Sequence, residues 1–540
     1  MKLLDDARMY ARFAFGLRKF LKTRITLDEA RAIVRANLAQ REANFLRVLK
    51  RGVYGYRLSP YRPLLEWAGC ELGDVERLCR TEGLTHTLRT LREAGVYVSF
   101  DEFKGRQPIE RGGRVFPVRA RDFDNPFTKS SYVGESGGST GSGTRVSHDL
   151  EHMAARLPIR FLSEQFHGIA GMPRAIWRGI LPNAVGVNNM IASGVLGNIP
   201  RKWFSPLMAR DRKPSLKYRL ANEYIIRMCR LYGVPVPSPE RVPLDRADII
   251  VRWMEETLRD EGSCHVSSGV SLSLRIAVAA KELGVDLTGA VLSGGGEPPT
   301  EAKVKTITST GARCLASYHF SEAGAVGLAC THPIDCNDQH LVTDHLEVFQ
   351  YPRKVPGSDV TVDAFTLTTL LATAPKLLLN VEIDDYGVIE DRSCGCPWEE
   401  LGFTKHVREI RSYRKLTGGG MTLVGSEMER ILDEVLPAAF GGSPQDYQLY
   451  EEEDEQGFTR RSLIVSPSVS IDDESAVIRT VLESLGKGSD SADGARALWT
   501  QSHSLRVKRM KPVWTNRGKL MPLHLASRSK AAVESAEAQD

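Results

Sequence analysis

The run ESGGSTGSGTR at residues 135–145 gathers glycines and small hydroxyls as a loop that holds an anion would. Gly138 and Gly143 keep the spacing of a G-x-x-x-x-G-K-S/T phosphate loop, but Thr144 stands at the lysine position and Arg145 at the hydroxyl position. That excludes a kinase- or GTPase-type loop. What remains, Ser136 to Thr144, offers amide and hydroxyl donors on a backbone pliable enough to close over a phosphate. The same composition also makes a flexible linker.

Two other stretches bear on the choice. SGGGEPPT at 293–300 reads as a strand-end turn carrying Gly295, Gly296 and Glu297, and SYHFSEAG at 317–324 ends a strand with the pair Ser321 and Glu322. Ligands of open α/β sheets bind beyond the carboxyl ends of strands, so two such ends and one anion loop can form a single site. Glu322 supplies the hard oxygen that Mg2+ takes beside phosphates. Its other reading is a carboxylate in a surface salt bridge.

The nine cysteines are odd in number and scattered, which is not a disulfide framework. Cys70, Cys79, Cys229, Cys264 and Cys314 stand alone and read as small buried hydrophobes. Cys330, Cys336, Cys394 and Cys396 lie among His332, His340 and His345 and invite a metal reading.

The elements that position these residues follow from periodicity. A chain of 540 residues with 42% hydrophobic and 26% charged residues is ordinary globular composition for two or three domains. The net charge of +5 is spread along the chain, giving no support for a nucleic-acid partner, and ARDRKPSLKYR at 209–219 reads as a solvated loop. No apolar run reaches membrane-spanning length, and the opening MKLLDDARMY lacks a signal-peptide core, so a cytoplasmic protein without membrane insertion is expected. No internal repeat is present.

Residues 1–105 read as a helical N-terminal cap and 106–411 as a layered α/β domain, with SLSLRIAVAAKELGV a helix and LTGAVLSGG and ARCLASYHF strands. Residues 412–530 read as a small mobile α+β lid, with helices at SEMERILDEVLP and DESAVIRTVLESL and a strand at TRRSLIVSPSV, and 531–540 as a disordered tail.

In this order the chain resembles the adenylate-forming acyl-CoA synthetase superfamily, and within it the phenylacetate-CoA ligase-like branch. SGGSTGSGTR is similar to that family's phosphate loop, GGGEPP to its adenine-side turn, and YHFSEAG to its Y-G-x-S/T-E motif. VEIDDYG resembles the ribose-binding segment, IRSYRKLTGGGMTLVGSEMERIL the hinge and glycine loop, and PVWTNRGKLMP the C-terminal lysine motif. Departures are the missing loop lysine, His319 in place of glycine, and Tyr413 or Arg414 where the hinge carries an acid.

The resemblance implies activation of a carboxylic acid by ATP as an acyl-adenylate with release of pyrophosphate, then transfer to the thiol of coenzyme A. Lys519 would sit between the reacting oxygens, with Glu322 holding Mg2+. Ser136, Gly137, Gly138, Ser139, Thr140 and Gly141 would hold the outer phosphates. Gly295, Gly296, Glu297, Tyr318, His319, Ser321, Asp385 and Arg411 would complete the ATP site, with Asp384 the alternative ribose ligand. His319 is a substrate contact or a packed ring, and Lys519 has the alternative of a solvated turn. The LTGGGM loop, Gly418 to Gly420, would lie along the pantetheine arm after the small domain turns.

The resemblance also implies a structural zinc on Cys330, His340, Cys394 and Cys396, with Cys336 a possible substitute and unliganded thiols the alternative. Other acceptors stay open: an amine giving an N-acyl bond, or a protein or carrier acceptor, since SSYVGES and the cap also resemble the acyl-protein synthetase of bacterial luminescence. A silent nucleotide-binding scaffold is the non-enzymatic alternative. A homodimer is possible.

Overall fold

The computed structural model describes residues 2–128, 132–135, 145–181, 183–206, 216–296, 299, 301–354, 361–412, 416–418, 421–423, 431–442, 446–453, 459–485, 505–513 and 523–525. It is a mixed α/β structure organised on one twelve-stranded sheet.

Half of that sheet is parallel and half antiparallel. From one edge, strands Pro239–Arg241, Lys202–Ser205, Arg174–Trp177, Cys264–Ser268, Ala290–Gly295 and Arg313–Phe320 run parallel. From there Gly324–Ala329, Gln339–Leu341, Lys405–Ser412, Val381–Asp391, Thr361–Thr369 and Leu346–Lys354 continue antiparallel. The central parallel strands Arg174–Trp177, Cys264–Ser268 and Ala290–Gly295 are almost wholly buried because helices such as Asp248–Glu261 and Val270–Leu283 pack on them. The helix predicted from SLSLRIAVAAKELGV spans Val270–Leu283 and stops at Gly284, whose left-handed φ of 68° ends it. The change from parallel to antiparallel falls at the turn Ser321–Ala323, on the residues singled out as functional.

The N-terminal helices share cores with this sheet. Phe45, Leu49, Leu64, Leu88 and Val98 pack in one cluster with Phe320, Val348, Phe365 and Val381. Helix Leu27–Ala39 is opened by Thr26, which forms a reciprocal capping box with Glu29, and buries Ala30 and Val34 against Ile159 and Leu162. Polar ties reinforce the packing. Glu347 is fully buried and meets Arg41, Thr85 Oγ1 at 2.6 Å and Lys405 at 3.4 Å. Asn380 takes a left-handed φ of 50° so that its amide donates to the carbonyls of Leu88 and Val96 at 2.8 and 3.0 Å.

Strands Tyr132–Glu135 and Arg145–His148, on either side of the glycine-serine run, pair antiparallel from Tyr132↔His148 to Glu135↔Arg145. Asp149 then caps helix Leu150–Phe166 by accepting the Glu151 N–H at 2.8 Å. The basic stretch at 209–219, read as a loop, in part opens helix Leu216–Leu231.

A four-stranded sheet, ordered Leu505–Arg509, Thr459–Val465, Tyr447–Glu453 and Leu523–Leu525, carries its own core of Ile431, Leu449, Leu463, Val477 and Val481 with helix Glu474–Ser484. Where SEMERILDEVLP predicts one helix over 426–437, Ile431–Val435 is wound as a π-helix running into Leu436–Phe440, and 426–430 lie outside the described residues.

Candidate active site

Strand Arg313–Phe320 delivers Tyr318 and His319 to the switch point, and a shift in its pairing with Gly324–Ala329 falls between those two residues. Tyr318 Oη donates to Asp385 Oδ2 at 2.7 Å, and its N–H donates to Gln339 Oε1 at 2.6 Å. Burial, then the Asp385 carboxylate, pushes the phenol well above its ordinary range, so it stays a donor. Asp385, not Asp384, is therefore the aspartate joined to the tyrosine motif; Asp384 is fully buried one residue earlier. Across the ladder Asp385 faces Ser412, and exposed Arg411 faces Tyr386.

Gly295 ends the adjacent parallel strand. A Cβ there would stand 2.9 Å from the Ser317 carbonyl oxygen and 3.4 Å from His319 Cδ2, so only glycine lets the two strand ends approach. Gly296, with φ 94°, turns the chain away, as the sequence predicts. His319 Nε2 lies 3.0 Å from Ser317 Oγ. His319 is exposed, yet neighbouring protein atoms partly desolvate its ring. That desolvation, then Arg156, Arg178 and Arg160, depresses the imidazole to about 3. It is a neutral ring at physiological pH.

Glu322 is 2% exposed and Ser321 beside it is exposed. Burial would raise the Glu322 pKa, but Lys104, whose Nζ is 2.6 Å from Oε1, and then Lys376 outweigh it and hold the carboxyl below its ordinary range. The alternative of a surface salt bridge fails on burial. The carboxylate is an ionised hard oxygen donor and in that respect fits Mg2+, with one oxygen engaged by Lys104.

The metal-reading cysteines also converge. One ligand atom each of Cys330, His340, Cys394 and Cys396 lies within 4.8 Å of the others, whereas Cys336 belongs to no such group among the described residues. His340 Nδ1 is 2.8 Å from the Phe403 carbonyl oxygen, which fixes its proton there and turns the Nε2 lone pair toward Cys396 Sγ at 3.0 Å and Cys394 Sγ at 3.6 Å. Glu399 accepts from the Cys394 and Gly395 N–H groups at 2.8 and 2.6 Å, shaping the C-x-C turn in which Gly395 has φ 65°. Cys396 is the thiol driven down, chiefly by its hydrogen bond with Cys330. These donors fit a tetrahedral zinc. A second trio, Cys330, Asp338 and His406, is an ion-pair network, because Asp338 already meets His406 at 2.6 Å and Arg392.

Of the isolated cysteines, Cys79, Cys229 and Cys264 are buried as expected, whereas Cys70 and Cys314 are only half-buried, and none of the nine forms a disulfide. Ser136, Gly137, Gly138, Ser139, Thr140, Gly141, Glu297, Tyr413, Arg414, Gly419, Gly420 and Lys519 lie outside the described residues. Two residues at the site escaped the motif reading. Lys104 has no local signal in DEFKGR. Arg156 had one: His152, Arg156, Arg160 and Glu164 recur every four residues and so share one face of helix Leu150–Phe166.

No protein-family model matches the chain, and no curated protein matches it. Among solved structures it resembles 2-hydroxyisobutyryl-CoA ligase in complex with 2-HIB-AMP and CoA in the thioesterification state, with 13% identity over 96% of this chain and 94% of that one and a TM-score of 0.53. The same ligase in its postadenylation state aligns at 0.47, with 13% identity over 96% and 94%. An amide bond synthetase from Marinactinospora thermotolerans aligns at 0.40, with 12% identity over 97% and 99%. The chain thus shares the fold of 2-hydroxyisobutyryl-CoA ligase. No helix among the described residues is long and apolar enough to cross a membrane.

Proposed function

We propose that this protein is an AMP-forming acid–thiol ligase: it activates an aryl or acyl carboxylic acid with ATP, releases pyrophosphate, and passes the acyl group to coenzyme A. The observation that carries this reading is the Tyr318–Asp385 hydrogen bond, which joins the tyrosine motif to the acidic ribose-type segment beside Gly295, at the carboxyl ends of two parallel strands.

In this reading Asp385 takes the ribose hydroxyls, Gly295, Gly296 and Tyr318 bound the adenine, and His319 lies toward the acyl group. Ser321 and the loop Ser136 to Gly141 hold phosphates, and Glu297 belongs to the ATP site. Glu322 holds Mg2+, which when bound neutralises phosphate charge. Attack of a carboxylate on the α-phosphate is opposed mainly by like-charge repulsion, so Lys519 supplies the cation between the reacting oxygens. Arg411 lies near the hinge into a small mobile lid from about residue 412, whose rotation would exchange Lys519 for the LTGGGM loop. The zinc on Cys330, His340, Cys394 and Cys396 is structural. The motif order supports the phenylacetate-CoA ligase-like branch, and nine cysteines outside any disulfide support a reducing, cytoplasmic setting.

ATP–pyrophosphate exchange with pooled aryl, fatty and amino-acid-derived carboxylates tests the first half-reaction. Exchange with one pool, lost in Lys519→Ala and Glu322→Ala, is expected; ATP binding without exchange in any pool would make the protein a silent scaffold. Product analysis with coenzyme A, an amine and a carrier protein then identifies the acceptor.

A further inference from the structure

The helix face that follows the glycine-serine hairpin carries three basic groups and one acid, and their partners differ along it. At the far end Glu164 accepts from Arg174 Nη1 at 2.8 Å and meets Arg160 at 3.4 Å, and Arg160 Nη2 also donates to Ser193 Oγ at 2.9 Å. Those charges are compensated. One turn nearer the hairpin, Arg156 makes no hydrogen bond and no ion pair among the described residues. The carboxylate that acts on it, Asp344, does so from beyond ion-pair range and is itself 2.6 Å from His345.

Arg156 is nevertheless set firmly in place. Its guanidinium lies flat against Gly324, where a Cβ would stand 2.0 Å from Nη1 and 2.4 Å from Cζ, and Gly324 adopts φ 93°. Gly324 is two residues past Glu322, so the guanidinium rests on the turn that carries the site's carboxylate. It is close enough to His319 to be the leading charge acting on that ring. The side chain is half-buried, so water or a ligand reaches it. With no protein acceptor among the described residues its donors are available to a ligand, and its planar fork matches two oxygens of a carboxylate or phosphoryl group.

We infer that Arg156 is an oxyanion-binding residue of the site, its guanidinium donating to a carboxylate or phosphoryl oxygen held beside the Glu322 turn. The inference deepens the adenylation reading and rests on it for the two sources of that oxyanion, the acid substrate and the nucleotide.

The test is equilibrium titration of the full-length protein, native, Arg156→Met, Arg156→Lys and Gly324→Ala, with two sets of probes: benzoate and decanoate, and AMP and inorganic pyrophosphate. Arg156→Met is expected to weaken one set by about tenfold or more and leave the other within about twofold, with Arg156→Lys recovering part of the loss. Loss in the acid set assigns the oxyanion to the substrate carboxylate; loss in the nucleotide set assigns it to a phosphoryl group. Gly324→Ala, which pushes the guanidinium aside without removing it, is expected to weaken the same set. Native-like binding of every probe by Arg156→Met overturns the inference, as does failure of the native protein to bind any of them. Should Arg156→Met not fold, Arg156→Lys and Gly324→Ala decide, and native-like binding in both overturns it. Pyrophosphate exchange is measured separately, so that oxyanion binding without exchange removes the adenylation reading and leaves the role of Arg156 standing.

Discussion

Lys104 places Nζ 2.6 Å from Oε1 of Glu322, across 218 residues of sequence. The lysine closes the short helix Phe100–Phe103 of the N-terminal layer, and the glutamate stands where the large sheet changes from parallel to antiparallel. Both side chains are nearly buried, at 13% and 2% exposure, so the pair is a resting counter-ion arrangement inside the site, not a surface contact. Lys376 adds a second cation to the field at Glu322.

Removing one partner of such a pair leaves a buried charge uncompensated. Lys104→Met is expected to lose roughly 3–5 kcal/mol of stability in urea unfolding, and Lys104→Met with Glu322→Gln to recover much of it. The pH dependence has a fixed sign. The folded pKa of Glu322 is depressed, so its contribution is present above the unfolded value of about 4.3 and is lost as pH falls through the folded value. Lys104→Met should flatten that part of the stability curve; an unchanged acid limb would show that Lys376 alone suffices.

The Tyr318–Asp385 hydrogen bond couples two motifs. Tyr318→Phe is expected to raise KM for ATP several-fold by freeing Asp385 to rotate, and a double-mutant cycle with Asp385→Asn to give a coupling of about 1–2 kcal/mol. Additive losses would show that each residue acts alone.

His319 enters as a neutral ring. Its folded pKa of about 3 lies below the unfolded value of about 6.5, so the unfolded chain binds the proton first and stability falls as pH drops from about 6.5 toward 3. His319→Gln is expected to make thermal unfolding less sensitive to acid in that window, and to leave the pH–rate profile above pH 6 unaltered. A basic limb lost in the variant would instead mark His319 as a titrating group in turnover.

The four-ligand cluster predicts about one zinc per chain by elemental analysis of the purified protein. Cys396→Ala should lose the metal and lower the unfolding temperature, because Trp398 and Phe403 pack directly beyond the site in the same core. Cys336→Ala should keep it. A metal-free native protein of unchanged stability would return the cluster to three plain thiols and a histidine.

The sequence by itself carried the local devices. Glycines mark positions where the backbone turns or two strands touch, so GGGE and the end of SYHFSEAG were legible as strand ends, and periodicity alone placed the helix at Val270–Leu283 and the strand at Arg313–Phe320. The four-ligand cluster was legible in part, because cysteines and histidines recur together in the sequence; that Cys330 and not Cys336 joins it depends on how the chain brings distant segments together. The four-residue recurrence of His152, Arg156, Arg160 and Glu164 was present in the sequence but neutral in meaning, since a charged helix stripe most often faces water. Only the tertiary structure decided that this stripe turns inward, that Gly324 seats Arg156, and that Lys104 neutralises Glu322. The physical reason is range. Backbone preference acts over a few residues, whereas a buried charge is satisfied by whatever partner the fold brings within about 3 Å, and no spacing rule records a contact across 218 positions.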